Sequence, residues 1–82
     1  MITSDQIRAA RALLRWSSLE LSTRSGVGQA TIKRIEVMPG VPSGQIRTLE
    51  AIRAALEAAG IEFIGAPGDA PGVRLHERAG KQ

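Results

Sequence analysis

At 82 residues, 43% of them hydrophobic, the chain has material for one small domain near the lower limit of independent stability, so support from a partner subunit is plausible. The absence of cysteine excludes disulfides and thiolate metal sites. No apolar run approaches the roughly 18 residues of a membrane span, and MITSDQIRAA lacks the basic start and apolar run of a secretory signal, so a soluble, cytoplasmic protein without membrane contact is expected.

The first predicted helix runs from about Ser4 to Arg15. Thr3 and Gln6 have the spacing of a capping box, and Ile2 and Ile7 that of the accompanying hydrophobic staple. Ile7, Ala10 and Leu14 recur at helical spacing, with Leu13 beside them. Arg8, Arg11 and Arg15 fall on or near a second face, either a solvated one or one that touches phosphate. The start signal then repeats. Ser17 and Glu20 form a second capping box and Trp16 and Leu21 a second staple, so a new helix begins at Ser18, with Trp16 anchoring the bend.

This second helix ends near Ser25, with Gly26 as a left-handed cap and Val27 turned inward. Gly28 caps a third helix from about Gln29 to Val37, in which Ile32 and Ile35 face the core. Gln29, Ala30, Lys33 and Arg34 then lie on its outer side. Pro39, Gly40 and Pro42 enforce a loop. A fourth helix from about Gly44 to Ala59, capped by Ser43, carries Ile46, Leu49, Ile52 and Leu56 as an apolar stripe. Gly60 closes it in a Schellman arrangement with Ile61 packed on Leu56. Ile61–Ile64 and Val73–His76 alternate like strands around GAPGDAPG, which is turn chemistry, so an antiparallel hairpin within 61–76 is expected. Such a hairpin is marginal alone and must pack on the helices or pair an edge with another chain. Residues Glu77 to Gln82 are expected to fray.

The sequence offers little for catalysis. Its sole histidine, His76, has no carboxylate pair or metal-ligand cluster beside it, the glycines lack nucleotide-loop spacing, and no base accompanies the serines. A non-enzyme without metal or cofactor is expected. The charge distribution points elsewhere. Between Arg15 and Arg47 the cations Arg15, Arg24, Lys33, Arg34 and Arg47 face only Glu20 and Glu36, whereas from Thr48 to Gly72 the acids Glu50, Glu57, Glu62 and Asp69 face Arg53 alone. A positive central segment suits a polyanion.

The third predicted helix has what reading a DNA major groove needs, a narrow rigid element with hydrogen-bonding side chains near its leading end. Gln29 can pair with an adenine edge, Ala30 can touch a thymine methyl, and Lys33 or Arg34 can reach guanine or phosphate. Thr31 is open between a base or phosphate contact and a local backbone bond. Free amides at Ser17 and Ser18 suit a phosphate. The alternative is an ordinary solvated helix face.

The segment WSSLELSTRSGVGQATIKRIE, Trp16 to Glu36, resembles the helix-turn-helix of the Cro and lambda-repressor class, the XRE family of regulators. Ser17, Leu21, Gly26, Val27, Thr31, Ile32 and Glu36 match its pattern at the same spacing. The flanking IRAARALLRWS and PSGQIRTLEAIRAALEAAGIEFI resemble a short subgroup whose last helix is followed by a strand. The resemblance implies a mainly α, lambda-repressor-like fold: one domain over 1–82, four short helices with the helix-turn-helix at 17–37, and a C-terminal strand or hairpin. It implies a homodimeric repressor that reads double-stranded DNA, with base reading by Gln29, Ala30, Lys33 and Arg34. Phosphate contacts are implied from the stretch that includes Gly40, Ser43, Gln45 and Arg47. Three departures stand out. Ser18 replaces a Gln that contacts the DNA backbone and is too short for that contact. Leu19 replaces a polar residue and is either an exposed leucine or a protein contact. Ser22 puts a hydroxyl where the family has Ala at a tight helix contact. A dimer contact is expected from the tail strands and the fourth helix. The alternative function is an antitoxin paired with a toxin, or an adapter that keeps the fold without DNA binding.

Overall fold

In the computed structural model, which describes residues 1–77, four helices precede an antiparallel hairpin. They are α1 Ser4–Leu14, α2 Ser18–Ser25, α3 Gln29–Glu36, α4 Ile46–Ala58, β1 Ile61–Ala66 and β2 Asp69–Leu75. No described helix is long and apolar enough to cross a membrane. The expected fraying lies, from residue 78 onward, outside the described residues.

The capping box of α1 is complete. The Gln6 amide nitrogen of the backbone donates to Thr3 Oγ1 at 3.0 Å, and the Thr3 N–H donates to Gln6 Oε1 at 2.8 Å. Ile2 and Ile7 are both buried, as the staple requires. The same Gln6 side chain, only 4% exposed, also donates through Nε2 to the carbonyls of Ile64 at 3.1 Å and Gly72 at 2.8 Å. One residue thus starts the first helix and holds the hairpin against it.

The second capping box is only half formed. Ser17 Oγ accepts from the Glu20 N–H at 3.0 Å, but the Glu20 carboxylate turns forward to Arg24, one turn on, at 2.7 Å. A cation at i+4 competes for the carboxylate with the cap amide. Trp16 packs against the core, as expected, and the Arg24 guanidinium lies over its ring at 4.8 Å. Gly26, at φ +78°, caps α2, and Val27 packs inward before α3 starts.

Of the three arginines on the second face of α1, Arg11 is drawn into the fold, whereas Arg8 and Arg15 are exposed, Arg15 as the left-handed C-cap of α1 at φ 58°. Arg11 Nε and Nη2 donate to the two Glu36 oxygens at 2.7 and 2.8 Å, and its Nη1 donates to the Trp16 carbonyl at 2.9 Å. Arg8 Nη1 donates to the Glu36 carbonyl at 2.6 Å and its guanidinium also pairs with Asp5. Glu36 is buried at 6% exposure, so a forked cation is what lets its charge leave water. The hydrogen bond to Glu36 raises the Arg11 pKa, burial opposes it, and the Glu36 charge adds to the rise. Together these bonds lock α1 to the end of α3.

The loop after α3 docks on α1: the Ser4 N–H, an orphan donor of the first turn, donates to the Gly40 carbonyl at 2.9 Å, and the Ser4 hydroxyl donates to the Met38 carbonyl. The fourth helix starts later than expected. Gly44, at φ +152°, is not helical, Gln45 is the N-cap without a side-chain bond, and the Ser43 hydroxyl meets Met38 Sδ at 3.8 Å instead of capping. Ile52 and Leu56 of the apolar stripe are fully buried, Leu49 is half-buried, and Ile46 is 72% exposed, because the first turn of α4 projects beyond the core.

At the end of α4 the Gly60 N–H donates to the Glu57 carbonyl at 3.0 Å, the inner bond of a Schellman cap, and Leu56 and Ile61 share the core. Gly60 sits at φ +106°, and a Cβ there would lie 2.8 Å from the His76 carbonyl, so helix and hairpin meet where only glycine fits. The hairpin is longer than the alternation suggested. Ile61 pairs with Leu75, Phe63 with Val73 and Ala66 with Asp69, across a Pro67–Gly68 turn. The register shifts between Ile64 and Ala66, where Gly65 approaches the Ala70 backbone too closely for a side chain. Ile61, Phe63, Val73 and Leu75 all turn inward, so the hairpin is supported by the helices.

Candidate nucleic-acid interface

The short turn from Gly26 to Gly28 sets α3 across α2, and the burial of Leu21, Val27, Ile32 and Ile35 decides which side of α3 faces out. Ala30, Lys33 and Arg34 are exposed on that side, while Gln29 and Thr31 are half-buried. All five residues proposed from the sequence therefore lie on the outward side or its margin.

Gln29 is held in place. Its Nε2 donates to Ser18 Oγ at 3.0 Å, joining the first residue of α3 to the first residue of α2. The amide keeps a second N–H and its carbonyl oxygen, and the Ser18 hydroxyl keeps its own proton to donate. Ser18, too short to reach far by itself, acts as a brace for Gln29. Spacing alone did not show this contact, because it crosses the turn between two helices. Ser17 is committed to the α2 cap, and its remaining capacity lies at the helix's positive end.

Beside α3 lies a cleft of about 320 Å³, lined by Thr31, Arg34 and Ile35 on one side and Ser43, Gly44, Gln45 and Thr48 on the other. The amides of Thr48 and Leu49 both return to the Gln45 carbonyl, at 3.1 and 3.2 Å, and with no side-chain cap the earlier amides of α4 are open to an outside acceptor. Of the residues proposed for phosphate, Ser43 and Gln45 line this cleft. Gly40 does not, since its carbonyl is turned to α1, and Arg47 is exposed outside the cleft. Thr48 was missed; it follows Gln45 by one helical turn, so the same spacing argument locates it once the true helix start is known.

The cations divide into two groups. Among the described residues Arg8, Arg11, Arg24, Arg53 and Arg74 have carboxylate partners, whereas Arg15, Lys33, Arg34 and Arg47 have none. Three of these four unpaired cations are on α3 and the start of α4, and the fourth, Arg15, caps the end of α1. His76 is an exposed residue just beyond β2, and its Nε2 lies 2.6 Å from Glu62 Oε1 on β1. The Glu62 carboxyl is held below its ordinary pKa, first by that hydrogen bond, with the Arg74 charge assisting and desolvation opposing. Leu19 is 58% exposed on α2, as its replacement of a polar residue implied. Compared with known proteins, the chain matches no family model and no curated protein.

Proposed function

We propose that the chain is a sequence-specific DNA-binding regulator with a lambda-repressor-like helix-turn-helix formed by α2 and α3, acting in the cytoplasm as a homodimeric repressor. It works by binding and carries out no catalysis. The carrying observation is the outward side of α3: Gln29 braced by Ser18, with Ala30, Lys33 and Arg34 exposed beside it and both cations without ion-pair partners among the described residues. A helix of this kind enters a major groove with its leading residues on base edges. The cleft between Arg34 and Gln45 takes a backbone phosphate on the flank of that groove, using the open amides of α4. Two subunits read half-sites about one helical turn apart.

Footprinting on the DNA upstream of its own coding sequence tests the assignment. A protected, symmetric pair of half-sites that random DNA does not compete away is the expected result. Binding that every sequence competes for equally would remove base reading from α3.

A further inference from the structure

Two of the helices end on a left-handed residue. For α2 it is Gly26, and for α1 it is Arg15, at φ 58° and ψ 36°. Apart from glycines, only Arg15 and Ala70 take positive φ among the described residues. Left-handed backbone presses a Cβ toward the following carbonyl, a strain that glycine escapes. The corner holds Arg15 in that conformation. Its N–H donates to the Ala12 carbonyl at 3.1 Å, the Trp16 N–H donates to the Arg11 carbonyl at 2.9 Å, and the Arg11 guanidinium donates to the Trp16 carbonyl at 2.9 Å. The fold does not use the charge of Arg15. The residue is exposed and has no carboxylate partner among the described residues, and the acid nearest to it in sequence, Glu20, is taken by Arg24 at 2.7 Å.

We infer that Arg15 is a contact to a DNA backbone phosphate, and that this use accounts for an arginine where the backbone suits glycine. The inference rests on the proposed DNA reading and adds a contact on the α2 side of α3. Arg15 stands three residues before Ser18, so its Cα is within about 11 Å of that of Ser18. Ser18 in turn accepts from Gln29 at 3.0 Å, at the leading end of α3. This span is comparable to the roughly 12 Å width of a major groove, so with Gln29 on a base edge Arg15 falls beside the strand that flanks the groove. The same corner is tied to the other end of α3, because the Arg11 guanidinium that holds the Trp16 carbonyl also forks onto Glu36 at 2.7 and 2.8 Å. The backbone of Arg15 is therefore fixed relative to the reading helix at both of its ends. The cleft between Arg34 and Gln45 lies on the α4 side, so the two phosphate contacts reach the DNA from different elements.

Denaturant titration and a salt series of DNA binding, both on the full chain, test the contact. Arg15→Gly relieves the strain and deletes the charge. It raises the folding equilibrium constant about fivefold, and it lowers the slope of log K against log salt by about 1, equally for operator and random DNA. Arg15→Ala deletes the charge but keeps the strain, so it lowers the slope by the same amount without the gain in stability. Arg15→Lys keeps the charge and restores the slope. A slope unchanged by Arg15→Gly and Arg15→Ala, while Lys33→Ala lowers it, overturns the Arg15 contact and leaves the DNA reading standing. An Arg15→Gly chain less stable than the natural one also overturns it, since the arginine would then serve the fold. A natural chain that binds no DNA removes the DNA reading, and the contact with it.

Discussion

In the proposed DNA reading, the hydrogen bond between Ser18 and Gln29 prepares a side chain for recognition. A free glutamine loses rotamer entropy on binding a base; one already anchored at 3.0 Å to a neighbouring hydroxyl has lost much of it in folding. Gln29→Ala is expected to cost on the order of 1–3 kcal/mol at the cognate site and to relax selectivity at one base position. Ser18→Ala should relax selectivity at that same position, and Lys33→Ala should weaken all sequences alike. Binding titrations against single-base operator variants distinguish these patterns, and an unchanged profile for every variant would remove Gln29 from base reading. Glu62 offers a different residue-level test. Its folded pKa is depressed, so its contribution to stability is present above the unfolded carboxylate value and is lost as pH falls through the lower folded one. Thermal melts should show a small loss on acidification below about pH 4 that Glu62→Gln removes; identical pH profiles for the two proteins would contradict it.

At the scale of elements, the joint between α1 and α3 depends on Arg11 and Glu36. The pair is largely withdrawn from water, with Arg11 23% and Glu36 7% exposed at the side chain. Removing one partner strands the other's charge, so Arg11→Ala should cost about 3 kcal/mol or more. Replacing both, Arg11→Met with Glu36→Leu, should cost clearly less than that single change, because the desolvation penalty disappears together with the attraction. Denaturant titrations of the three proteins check the order; a double variant as unstable as Arg11→Ala would mean that packing, not charge, holds the joint. The pair fixes the far end of the helix whose leading end carries Gln29. The same scale shows where local patterns compete. Thr3 and Gln6 complete their box because nothing else claims the Gln6 oxygen, whereas Glu20 follows a cation one turn ahead.

For the whole molecule, five of the described arginines are paired with carboxylates, and of the cations without such a partner Lys33, Arg34 and Arg47 lie on α3 and the start of α4, with Arg15 at the end of α1. Affinity for DNA should therefore fall with salt in proportion to these few contacts. Each of Lys33→Ala and Arg47→Ala should reduce the slope of log K against log salt by about 1 if its charge neutralises a phosphate. Arg74→Ala, remote on the hairpin, should leave the slope unchanged. A salt series on the four proteins reads all of this, and equal slopes throughout would place the DNA on another face. The core is small: nine apolar residues are buried among the described residues, and Ile46 at the start of α4 is left exposed.

Local signals determined the helices, their order and the turn at Gly26, because caps, staples and apolar periodicity act within a few residues of chain. They also placed Gln29, Ala30, Lys33 and Arg34 on one side of α3, since Ile32 and Ile35 turn the opposite side to the core. Tertiary structure decided the rest. Nothing within α1 reveals that Gln6 reaches Ile64 and Gly72, that Arg11 belongs to Glu36, or that Ser18 braces Gln29, for each bond spans elements brought together only by the collapsed core. The start of α4 shifted for the same reason. Ser43 has the chemistry of a cap, but the loop docked on Ser4 and the backbone at Gly44 delay the helix to Ile46, and with it the position of the cleft beside α3.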